Sequence, residues 1–65
     1  MKEMIIRGKH DEFEECRQLG EEWKELAPDK KIVIALSRKD NPDRINHKYE
    51  VVKGKRVPFT IKTIY

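Results

Sequence analysis

The sequence predicts an α+β fold in the order β-α-β-β-β, one helix packed across a small, mostly antiparallel sheet, as a single domain over residues 1–65. Three observations predict it. Apolar residues between Asp11 and Ala27 recur every three or four positions, the period of one helix face. The segments after Pro28 alternate instead, which is the period of strands. Glycine, proline and an Asp-Asn-Pro-Asp cluster fall where the period changes.

The first strand is read over Lys2–Arg7, with Met4, Ile5 and Ile6 at its centre and Gly8-Lys9 breaking it. From Asp11, the residues Phe13, Cys16, Leu19 or Gly20, Trp23 and Leu26 or Ala27 form one helical stripe. Asp11 followed by Glu14 fits a capping-box variant, and Asp11, Glu12, Glu14 and Glu15 put negative charge at the positive end of the helix dipole. Pro28 ends the helix, since it has no amide proton and biases Ala27 away from helical geometry. At about 1.5 Å per residue the helix is about 24 Å long, enough to cross a small sheet. Gly20 stands out within it, because glycine costs a helix interior about 1 kcal/mol against alanine.

The second strand is read over Lys31–Arg38. Ile32, Ile34 and Leu36 point one way, Val33 and Ala35 the other, as in a central strand or one whose second face meets a partner. In the turn Asp40-Asn41-Pro42-Asp43, Pro42 presets the backbone and Asn41 can close an Asx-type bond. A third strand, Arg44–Val52, alternates Ile45, His47, Tyr49 and Val51 against Asn46, Lys48, Glu50 and Val52. Lys53-Gly54 is read as a tight hairpin turn, with Gly54 supplying a positive φ. The last strand, Lys55–Ile64, puts Val57, Phe59, Ile61, Thr63 and Tyr65 on one face, and Pro58 marks it as an edge. If the first two strands are parallel neighbours, the helical crossover between them is right-handed.

Sixty-five residues bury a marginal core, roughly 60% of the surface the unfolded chain exposes. Cys16 is the only cysteine, so no intrachain disulfide forms, and its place on the apolar stripe reads as a buried small residue of a reduced, cytoplasmic protein. His10, His47 and Cys16 do not make a closed metal set, and the His10–Glu14 spacing is already explained by the helix start. Met1 and a terminal strand suit a complete small gene product. No apolar run approaches the length of a membrane span. Ser37 is the only serine, and the three isolated glycines form no phosphate-cradling loop. Neither an enzyme nor a bound cofactor is expected.

The net charge of +3 hides an asymmetry. Asp11–Glu25 carries seven acids against two bases, Arg17 and Lys24, leaving the rest of the chain at +8. Bases gather at strand ends and in loops: Lys30, Lys31, Arg38, Lys39 and Arg44, then the dense Lys53, Lys55 and Arg56. Such a rim either contacts phosphates or keeps sheet edges solvated. Tyr49, Phe59 and Tyr65 fall in phase with core positions, which argues against base stacking on the sheet.

These readings point to a small interaction protein that self-associates through its sheet as a homodimer or larger oligomer. It binds another macromolecule, protein first, and is able to inhibit it, as do products of phage and mobile-element genes. Assembly is expected through Ile5, Val33, Ala35, Val52 and Ile64, apolar residues on the face away from the helix. Strand edges, with their unpaired backbone groups, favour it too by offering β-augmentation. Partner contact is expected through Glu14, Glu21, Glu22 and Glu25 on the helix, or Lys53, Lys55 and Arg56. Two alternatives stand beside this reading. One is nucleic-acid or nucleotide-phosphate binding through Arg38, Lys39, Arg44, Lys53, Lys55 and Arg56; the other is an oligomeric small-molecule sponge. In size and element order alone the chain is similar to dodecin-like flavin-binding oligomers and small phage-encoded inhibitors. Trp23, however, falls on the helix and not in a strand where it could stack on a flavin.

Overall fold

The structure, a computed structural model, describes residues 3–54 and 59–64. It is an α+β fold with strands β1 (Glu3–Gly8), β2 (Lys31–Ser37), β3 (Ile45–Val52) and β4 (Thr60–Ile64), and one helix, α1 (Phe13–Leu26), between β1 and β2. The strands lie in chain order, β1-β2-β3-β4. β1 and β2 run parallel, which the intervening helix makes possible, and the other two pairings are antiparallel.

Alternation decides which face the helix covers. Register places Ile6 beside Ile34, Ile34 beside Tyr49, and Ile32 beside Val51, which in turn meets Ile61. Ile6, Cys16, Ile32, Ile34, Leu36 and Val51 form the buried core, with Met4, Phe13, Trp23, Tyr49, Phe59 and Ile61 packed around it. Tyr49 and Phe59 are thus half-buried core neighbours and do not project together into water; Tyr65 lies outside the described residues. Phe13 meets Tyr49 edge to face, ring centroids 5.0 Å apart.

Two glycines set how close the helix lies. A Cβ on Gly20 would stand 2.7 Å from Val51 Cγ2, and one on Gly8 would stand 2.5 Å from Cys16 Sγ. Gly20 therefore offsets its poor helix propensity by admitting the sheet where any side chain would hold it off. Leu19 and Leu26, the alternative stripe positions, are correspondingly left outside the core.

Several boundaries differ from expectation. The helix begins at Phe13, and its N-cap is Glu12 with no side-chain bond to the first turn, so Asp11 does not cap it. Glu12 instead folds back, its Oε1 accepting the Lys9 amide at 2.7 Å while its own amide donates to the Lys9 carbonyl. At the other end Pro28 acts as expected: Ala27 sits at φ −135°, ψ 70°, outside the helical region. Asn41 Oδ1 accepts the Asp43 amide at 3.1 Å, the expected Asx-type bond, and Arg38 and Arg44 close the loop through a backbone bond of 2.8 Å. Register shifts at Leu36/Ser37, which pairs Ser37 with Ile45 and leaves Ile45 exposed, out of the core.

The expected tight turn at Lys53-Gly54 is corrected. Val52 pairs directly with Thr60, so Lys53-Gly54 is not a two-residue turn joining the strands, and no described glycine has a positive φ. The start of the last strand moves accordingly from Lys55 to Thr60; residues 55–58 lie outside the described ones.

Candidate interaction surfaces

Four surfaces could do work: the sheet face away from the helix, the basic rim, the outer helix face, and the β1 side of the molecule. The open sheet face is built of cross-strand rows. One runs Glu3, Lys31, then Val52 beside Thr60; the next runs Ile5, Val33, Glu50, Lys62; the third runs Arg7, Ala35, Lys48, Ile64. Each row mixes aliphatic and charged positions, so the apolar residues do not merge into one patch.

This corrects the expectation that a single chain leaves Val33 and Ala35 in water. Each is only 2% exposed. Their short side chains lie on a central strand between longer neighbours, Ile5 and Glu50 for Val33, Arg7 and Lys48 for Ala35. Val52 and Ile64 are half-buried. Of the five expected assembly residues, Ile5 alone is exposed, at 45%.

The basic set proposed for phosphates is divided by the fold. Arg38, Lys39 and Arg44 flank the loop at one end of the sheet, whereas Lys53 follows β3 at the other. The eight residues of β3 separate Arg44 from Lys53, roughly 30 Å at the strand rise. Lys55 and Arg56 lie outside the described residues. At the loop end the charge is partly spent internally: Arg38 forks onto Asp40 through bonds of 3.0 and 3.1 Å. A shallow cleft of about 280 Å³ opens at the carboxyl ends of β1 and β2, lined by Arg7, Gly8, Lys9, Glu12, Ala35 and Ser37 among others.

On the helix, Arg17 grips Glu14 at 2.9 Å and Glu21 at 2.6 Å. The hydrogen bond and charge of Arg17 hold the Glu14 carboxyl below its ordinary range, and Glu14 raises Arg17 in return. Two of the four acids expected to meet a partner are therefore already engaged. Glu22 and Glu25 are exposed and, among the described residues, outside any ion pair. Burial, then the charges of Glu12 and Glu15, pushes the Cys16 thiol up, the opposite of what a nucleophilic thiolate needs. No group of three or more metal-binding side chains gathers among the described residues. No helix of the described chain is long and apolar enough to cross a membrane.

For the fourth surface the sequence points to strand edges in general, without singling out β1 or the leucines beside it. β1 is an edge strand; Phe13 meets Tyr49 of β3 and Lys24 lies by Phe59, so helical phase sets Leu19 and Leu26 on the opposite, β1 flank. Leu26 is 81% exposed and Leu19 39%. With Ile5 they put apolar side chains on both sides of a strand whose outer backbone groups have no neighbour among the described strands. The signal was present in the helical stripe, which offered two candidates at 19/20 and at 26/27; only the glycine contact shows which of the first pair turns inward.

No family model matches the chain, and no curated protein or solved structure is significantly similar to it.

Proposed function

We propose that this chain is a non-enzymatic interaction protein that self-associates and binds another macromolecule, with inhibition of that macromolecule as one consequence. The reading includes a reduced, cytoplasmic setting, which suits the free, buried Cys16. The observation that supports it is the β1 edge with exposed Ile5 on one face of the sheet and exposed Leu19 and Leu26 on the other. Exposed aliphatics and unpaired strand groups together are what β-augmenting interfaces use: the backbone supplies hydrogen bonds and the apolar side chains exclude water.

The test compares two double variants with the unmodified protein, with circular dichroism as the control for folding. Leu19→Lys/Leu26→Lys is expected to weaken sedimentation-detected self-association and the capture of purified binding proteins by the immobilised chain. Lys39→Glu/Arg44→Glu is expected to leave both unchanged. The proposal fails if the protein stays monomeric, retains no protein partner, and instead binds duplex or single-stranded nucleic acid with a steep loss on adding salt.

A further inference from the structure

We infer that the β1 edge is the seat of a second copy of this chain, paired antiparallel about a two-fold axis through Ile5. The inference rests on the association reading above and deepens it by naming the partner and the register. The sequence of β1 carries the argument. An antiparallel pair centred on Ile5 sets Ile5 against its symmetry mate, Met4 against Ile6 of the other copy, and Glu3 against Arg7 of the other copy. Each of these matches is complementary. The Ile5 pair and both Glu3–Arg7 pairs fall on the open face, and both Met4–Ile6 pairs fall on the helix face.

The charges suit this partner. Within one chain Arg7 shares its cross-strand row with Ala35 and Lys48, with no acid in it, and makes no ion pair among the described residues. Glu3 reaches Lys31 only loosely, at 3.8 Å. A second copy brings each free guanidinium opposite a weakly held carboxylate, twice over.

The helices fit as well. A two-fold axis perpendicular to the sheet places both copies of α1 on the same face, antiparallel to each other. α1 packs chiefly on β2, and β2 lies three strand spacings from its mate, roughly 14 Å at about 4.8 Å per spacing. Helices about 10–12 Å across would leave a narrow gap at that distance. Leu19 faces this gap, and its neighbour Gly20 packs at Ile6, next to the axis. Glu15 and Glu22 are exposed on the same helix, so acids border the gap and added salt, by screening their repulsion, favours the pairing. A six-residue edge per copy is a modest interface, at the small end of those that stable complexes use.

The experiment exploits the register. Glu3→Arg alone sets guanidinium against guanidinium at both ends of the paired edge, and Arg7→Glu alone sets carboxylate against carboxylate. Mixing the two variants restores opposite charge at both ends. Sedimentation and native mass spectrometry of the full chain are expected to show a dimer for the unmodified protein, monomers for each variant, and a heterodimer for the mixture. Recovery on mixing also shows that neither variant failed to fold. A dimer that persists in both single variants overturns this edge and register while leaving self-association intact. A monomeric unmodified protein overturns the inference outright; the association reading then stands or falls on its heterologous-partner arm. Variants that are monomeric alone and remain so when mixed overturn the inference too.

Discussion

The two edges of the sheet are made differently. β1 lies beneath the helix, with Ile6 in the core and Gly8 against Cys16, and its centre is an uncharged Met-Ile-Ile. β4 lies beyond the strands the helix chiefly covers, has no fully buried residue, and carries Lys62 at its midpoint. A strand pairing with its own copy about Lys62 would stack two ammonium groups, the usual way an edge is kept from joining a stranger. One edge is supported and left open to pairing; the other is loosely held and guarded. Strand order by itself makes them equivalent, so the difference is written in side chains.

The largest test of this contrast is a pair of truncations. Ile6→Ala is expected to cost about 2–5 kcal/mol in chemical denaturation, since it opens a cavity under the helix. Ile61→Ala on the half-buried β4 is expected to cost about 1–2 kcal/mol, because part of that side chain is already hydrated. Equal losses would remove the distinction. Gly20→Ala is the next in size. Pressing a Cβ into Val51 costs about 1–3 kcal/mol and recovers about 1 kcal/mol of helix propensity, so thermal unfolding should show a net loss of stability.

Lys62→Ile sharpens the contrast without much change in stability, within about 0.5 kcal/mol for an exposed position. It should add self-association through β4, seen as species larger than a dimer in sedimentation. The smallest effect concerns neither edge. Because Arg17 depresses the Glu14 pKa, this pair's contribution is present above the ordinary glutamate value of 4.5 and is lost as pH falls through the lower folded value. Thermal midpoints of the unmodified protein and Glu14→Gln should differ slightly at neutral pH and converge in acid.

Much of the architecture was legible because period and punctuation agreed. Pro28 stopped the helix, Asn41 closed its turn, the last strand took an edge, and Ile32, Ile34 and Val51 went to the core; Pro58 lies outside the described residues. What failed depended on geometry that period does not carry. Val33 and Ala35 look free in a one-dimensional alternation, but their burial follows from the lengths of cross-strand neighbours, which register alone reveals. Arg38 and Lys53 read as one basic rim until strand direction sends them to opposite ends. The interaction surface was the least legible part, since choosing between Leu19 and Gly20 required knowing how near the helix lies.

The parallel pairing of β1 with β2 also has a consequence in time. Glu3 must find Lys31 across more than twenty intervening residues, whereas β2 and β3 meet through the short loop closed by Arg38 and Arg44. Closing the longer span is the slower search, and a formed helix shortens it by making most of that span one rod. The β2–β3 hairpin should therefore assemble early, with the first strand arriving last, so that a newly made chain completes its pairing edge only once the rest has folded.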